Sequence, residues 1–89
     1  MQTRNQNQTI IDVRTPAEFS RGHVPGSINI PLQDLPVRME EIKTFAQPIL
    51  LCCASGNRSA QATAFLLKNG VACENGGGWM EINQLMHQE

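Results

Sequence analysis

At 89 residues the chain has room for one small domain with a thin core. Its charge is nearly balanced, 7 Lys+Arg against 8 Asp+Glu for a net of −1, which argues against nucleic acid as a partner, since that needs a basic surface. Aromatic residues at 4%, with no Tyr, leave little for base stacking, and no apolar run approaches the roughly 20 residues of a membrane span.

Residues 1–8 are rich in Gln, Asn and Thr and are expected to form a flexible segment ahead of a single domain over residues 9–89. They carry no apolar stretch of the signal-peptide kind. Residues 9–13 (TIIDV) are β-branched and apolar, which predicts a buried strand. Thr15 then stands as N-cap, Pro16 at the first helical position and Glu18 three residues after the cap, the pattern of a capping box on a short helix ending near Gly22. Pro25-Gly26 predicts a turn, and residues 27–30 (SINI) a second short strand closed by Pro31.

Leu32, Leu35, Val37, Met39 and Ile42 predict a helical turn followed by a helix over about residues 36–45. Residues 49–53 (ILLCC) are continuously apolar, as in a central parallel strand buried on both faces. Residues 59–68 predict the best helix of the chain, capped by Asn69-Gly70. Residues 71–74 read as a further or edge strand, 76–78 as a flexible glycine corner, and 79–87 as a terminal helix. The alternation βαβαβαβα implies an α/β fold: a parallel sheet with right-handed crossovers and helices on both faces.

Three cysteines, Cys52, Cys53 and Cys73, cannot close into a disulfide framework, and no CxxC spacing offers a zinc knuckle or redox dithiol. A reducing compartment is the simplest reading, so a cytoplasmic home is expected, with a processed periplasmic chain as the alternative.

Ligands of open parallel α/β sheets sit beyond the carboxyl ends of the strands. Cys53-Ala54-Ser55-Gly56-Asn57-Arg58-Ser59 occupies such a place, between the most buried strand and the best helix. Amides from Ala54 to Ser59 can turn inward as an anion-binding nest at a helix N-terminus. A cysteine at its mouth is expected to have a lowered pKa, because amide dipoles and Arg58 favour the thiolate. The loop therefore reads as a nucleophile, Cys53, facing an anion cradle built from Ala54, Ser55, Gly56, Asn57, Arg58 and Ser59.

Four segments spread from Ile11 to Trp79 carry a family resemblance. Ile11-Asp12-Val13-Arg14, with Pro16 and Glu18 behind it, looks like a "DVR" strand end. Residues 22–31 (GHVPGSINIP) look like "GHIPGAxxIP", Cys53 to Ser59 like CxxGxRS, and Gly76-Gly77-Gly78-Trp79 like a C-terminal glycine corner. Together, in this order, the segments resemble the rhodanese-like sulfurtransferase family.

The resemblance implies a three-layer rhodanese-like fold. Its central, mostly parallel sheet has about four strands, and its N-terminal edge is trimmed, because the family usually has another strand and helix before the "DVR" strand. It also implies ping-pong transfer of sulfane sulfur through a Cys53 persulfide. The donor would be a small sulfur compound such as thiosulfate, and the acceptor cyanide, a thiol or a protein cysteine. The loop amides would stabilise the persulfide and Arg58 would orient the anionic donor, with no metal or organic cofactor.

A second register places Cys52 and Arg58 at the C-x5-R spacing of cysteine phosphatases. Alternation along a strand lets only one of Cys52 and Cys53 crown the loop; Gly56 three residues after Cys53 favours sulfur transfer, and Leu51 stands where a phosphatase would have His. A non-catalytic docking module of the same family is a third reading, against which the intact Cys53 argues.

The remaining candidates read as structural. Asp12 is expected to accept backbone amides, Arg14 to pair with Glu18, His23 to bond neighbouring backbone and Trp79 to plug the core. The glycines of 76–78 are expected to let the backbone pass close to the loop. Cys52 and Cys73 are expected to be packing thiols and His87 a solvated terminal residue.

Overall fold

The structure, a computed structural model, describes residues 8–86. The expected flexible segment, the trimmed N-terminal edge and His87 thus fall wholly or almost wholly outside the described residues.

Four parallel strands form one sheet in the order β2-β1-β3-β4. They are β1 (Ile10–Asp12), β2 (Ile28–Asn29), β3 (Ile49–Cys53) and β4 (Cys73–Gly78). The helices are α1 (Pro16–Ser20), α2 (Met39–Ile42), α3 (Asn57–Lys68) and α4 (Trp79–Met86). β3 spans the expected residues and pairs with β1 on one side and β4 on the other. Its uninterrupted apolar run follows from that place, since both of its faces are covered.

Alternation along β3 divides the core in two. Ile49, Leu51 and Cys53 face a cluster completed by Ile11, Val13, Ile30, Leu35, Ile42, Ala62, Leu66 and Val71, so α2 and α3 close this face. Leu50 and Cys52 face the opposite cluster with Ile10, Val24 and Ile82, against which Trp79 and Met86 of α4 pack. The three-layer α/β architecture expected from the alternating elements is present.

Local signals explain the element ends. Thr15 Oγ1 accepts the Glu18 amide at 3.2 Å and the Glu18 carboxylate accepts the Thr15 amide at 2.9 Å, which makes the capping box. α3 ends in a Schellman pair, with Gly70 N–H donating to the Leu67 carbonyl and Val71 N–H to the Leu66 carbonyl.

Two segments differ from expectation. The helix expected over residues 36–45 is a tight 3-10 turn, Pro36–Arg38, followed by only one α-turn. Arg38 sits at φ −109°, ψ 16°, outside helical geometry, and Thr44 and Phe45 donate to carbonyls three residues back rather than four. The strand expected over 71–74 instead runs through the glycines to Gly78, where it pairs with Cys53. The register shifts between Leu51, which faces Asn75, and Cys52, which faces Gly77; Gly76 is the extra residue of this bulge. A side chain at Gly76 would bring a Cβ to 2.8 Å from Ile82 Cδ1 and 2.9 Å from Leu50 Cγ, so its absence lets α4 close on the sheet.

Candidate active site

β3 delivers Cys53 to the carboxyl end of the sheet, and the chain then turns through Ala54, Ser55 and Gly56 into α3. The turn needs Gly56, whose φ of +103° is a left-handed conformation that a side chain would strain. It aims amides back at the sulfur. Gly56 N–H donates to Cys53 Sγ at 3.0 Å and Ser59 N–H at 3.4 Å, with Ser59 Oγ also 3.4 Å away.

These contacts separate the three thiols. Burial works to raise the Cys53 pKa, but the Ser59 hydroxyl and the amides of Ser59, Gly56 and Ser55 outweigh it and hold the thiol below its ordinary value. Cys52 lies on the other face, fully buried, and burial with the nearby Asp12 carboxylate pushes it up to about 12 despite Arg14. Burial, with help from Glu74, also raises Cys73.

Of the amides from Ala54 to Ser59 expected to turn inward, those of Ser55, Gly56 and Ser59 converge on Cys53. Ala54 and Asn57 are exposed, and the Ala54 carbonyl lies against Gly78 of β4. Arg58 departs from expectation. Rather than standing ready for an anionic donor, its guanidinium grips Glu18 at 2.8 and 3.0 Å. That pairing holds Glu18 down to about 2, with the Thr15 amide assisting.

Arg14, expected to pair with Glu18, instead forks onto Asp12, with contacts of 2.7 to 3.0 Å, and its Nη2 also donates to the Gly22 carbonyl at 2.8 Å. The Asp12–Arg14 pair is buried at the end of β1, and Asp12 accepts the Arg14 amide as expected of it. The guanidinium carbon lies 4.8 Å from the Trp79 ring centroid, so Trp79 packs both on the second core and on this pair. His23 bonds the Phe19 carbonyl through Nδ1 at 2.7 Å and stacks on the Phe19 ring, the backbone-bonding role expected of it.

The sequence reading misses Asn75. From the bulged strand it accepts from Ser59 Oγ at 2.6 Å and from Gly77 N–H at 3.0 Å, and it donates to the Gly56 carbonyl at 3.2 Å. It ties β4 to the cysteine loop. A polar residue directly before a glycine run, at the carboxyl end of a strand, is the available sequence signal for it.

An α/β sheet whose central strand ends in a cysteine ringed by amides defines the class of fold and site. The rhodanese-like domain model matches residues 1–85, and the chain belongs to that family. It is 39% identical over 61 residues to a protein named sulfurtransferase from Allochromatium vinosum, covering 68% of this chain and 56% of that one. It is 41% identical over 71 residues to thiosulfate sulfurtransferase 16, chloroplastic, of Arabidopsis thaliana, covering 67% and 59%. The chain thus spans a little over half the length of these curated relatives. Among solved structures it superposes on a rhodanese with anions from E. coli with a TM-score of 0.75, at 33% identity, over 82% of this chain and 88% of that one. Among the described residues no helix is long and apolar enough to cross a membrane.

Proposed function

We propose that this chain transfers sulfane sulfur from a donor such as thiosulfate to a thiophilic acceptor, with Cys53 as the carrier and residues 54–59 as its cradle. The Cys53 thiolate attacks the outer sulfur of the donor. The donor's S–S bond breaks and its electron pair leaves with sulfite, so Cys53 becomes a persulfide. Cyanide, a thiol or a protein cysteine then attacks the outer persulfur, and the electron pair returns to Cys53 as thiolate. No proton need move in either step when both partners are anions, so the scheme calls on no general base.

The observation that carries this reading is the convergence of the Gly56 and Ser59 amides and the Ser59 hydroxyl on one sulfur. The two amides, already aimed at the sulfur, stabilise an anion there without reorganisation. The extra sulfur moves the negative charge outward, over the mouth of the same loop. Arg58 acts differently from expectation, holding α3 against Glu18 of α1 while the amides meet the charge. The names of the Allochromatium and Arabidopsis relatives point to the same chemistry.

Cys52 supports no C-x5-R alternative, because its thiol is buried on the opposite face with its pKa pushed up to about 12. The test is thiocyanate formation from thiosulfate and cyanide. Cys53→Ser is expected to abolish it while Cys73→Ser retains it; an active Cys53→Ser protein would refute the assignment. An intact protein that takes up no sulfur from thiosulfate or from a small persulfide would instead point to a docking module.

A further inference from the structure

Ser59 has one hydroxyl proton and stands between two acceptors. Its Oγ lies 2.6 Å from Asn75 Oδ1 and 3.4 Å from Cys53 Sγ. Backbone groups on both sides fix the orientation of the Asn75 amide. Gly77 N–H donates to Oδ1, and Nδ2 donates to the Gly56 carbonyl. Turned over, the amide would set N–H against N–H and carbonyl against carbonyl, so it is Oδ1 that faces Ser59. An amide oxygen only accepts, and the proton in the 2.6 Å contact is therefore that of Ser59. With its proton there, Ser59 turns a lone pair toward Cys53, which suits a thiol and not a thiolate. When Cys53 ionises, the hydroxyl has to rotate toward Sγ and release Asn75.

We infer that Asn75 is a positioning residue that sets how readily Cys53 ionises, by competing with the cysteine sulfur for the single hydroxyl proton of Ser59. The inference rests on Cys53 being the sulfur carrier and concerns the regulation of that same site. It explains why a loop that already supplies amides also spends a side chain of β4 on the Ser59 hydroxyl. The charged and titratable groups around the site are the Asp12–Arg14 pair from β1, Glu18 of α1 paired with Arg58 of α3, Cys52 of β3, and Glu81 of α4, whose carboxylate accepts from Gly78 N–H at 3.3 Å. Replacing the uncharged Asn75 by Ala leaves every one of these charges in place.

The test is the pH profile of alkylation at Cys53 in the full chain, read site by site by peptide mass spectrometry. Asn75→Ala frees Ser59 for the thiolate. Below the titration midpoint, Cys53 is expected to alkylate about three- to tenfold faster, the scale of a single hydrogen bond, with the profile moved to lower pH. In a Ser59→Ala background, the same Asn75→Ala change is expected to leave the profile where Ser59→Ala alone puts it, the mark of a coupled pair. Asn75→Asp keeps an acceptor on Ser59 and adds charge, and is expected to slow alkylation.

An Asn75→Ala profile that stays put, moves to higher pH, or moves equally with and without Ser59 overturns the inference. Should Asn75→Ala fail to fold, Asn75→Asp decides alone: unchanged or faster alkylation overturns it. Sulfur uptake from thiosulfate is measured on the same samples. If uptake fails while the profile shifts as expected, the sulfur-transfer reading falls and the Asn75 assignment stands.

Discussion

Cys52 and Cys53 are neighbours in the chain, yet the two faces of the sheet give them different chemistry. On one face Cys52 sits among Ile10, Val24, Leu50 and Ile82, and burial pushes its thiol up to about 12. On the other, burial also works to raise Cys53, but the Ser59 hydroxyl and three loop amides overcome it and lower the pKa. Exposure to solvent does not distinguish them, since both are almost completely covered. The difference is whether the strand's alternation turns the sulfur toward packed methyl groups or toward unpaired amides at a helix start. One step along a strand exchanges a thiol raised by burial for one lowered by its loop.

The largest effect that could break this contrast is on activity. Cys53→Ser is expected to lower thiocyanate formation by roughly 10³-fold or more, because it removes the proposed sulfur carrier. Cys52→Ser is expected to keep the chemistry but lose stability, by about 1–3 kcal/mol in denaturant unfolding, since it buries a hydroxyl among apolar side chains. Equal losses of activity in the two variants would erase the distinction between the faces.

Next comes the apolar face itself. Gly76→Ala drives a Cβ against Leu50 and Ile82. It is expected to cost about 1–3 kcal/mol, measured as a lowered denaturant midpoint. An unchanged midpoint would mean that α4 is not closed on the sheet as described.

A smaller, pH-dependent effect separates the thiols in the folded protein. As pH rises, Cys53 is expected to alkylate first, below the ordinary cysteine range. Cys73, raised by burial and by Glu74, should follow at higher pH, and Cys52 last of all. Peptide-resolved labelling checks the order, and early labelling of Cys52 would contradict the assignment of faces.

The smallest effect lies at the Glu18–Arg58 pair, whose side chains are about one-third exposed and therefore screened. Glu18 falls from an ordinary 4.5 to about 2 in the folded chain. A depressed carboxylate contributes stability above its unfolded pKa and loses it as pH falls through the folded value. The wild-type chain is thus expected to lose this contribution between about pH 4.5 and about 2. A Glu18→Gln chain should show a slightly lower melting temperature near neutrality and a shallower decline across that window. Parallel acid profiles would show that the pair contributes nothing to stability.

Much of this contrast is legible in the residues. The unbroken apolar run of β3 shows burial on both faces, Thr15 to Glu18 shows its cap, and the cysteine, glycine and arginine spacing marks the loop. The rest depends on pairings that local pattern does not encode. Glu18 meets Arg58 across 40 residues, so only the packed fold reveals which arginine it takes and that Asp12 takes the other. Residues 76–78 read as a corner because glycines carry no side chain to display strand alternation, and Asn75 is hidden with them. The apolar pattern over residues 36–45 turns Met39, Ile42 and Phe45 onto the core, but Val37 is exposed and Arg38 interrupts the helical backbone.

The most direct test of Cys53 as sulfur carrier is intact-mass and peptide-resolved mass spectrometry after treatment with thiosulfate, followed by cyanide. A gain of one sulfur atom, located on Cys53, absent from Cys53→Ser and removed by cyanide, is the expected result. No gain from thiosulfate or from a small persulfide donor, or a gain located on Cys52 or Cys73, would contradict it.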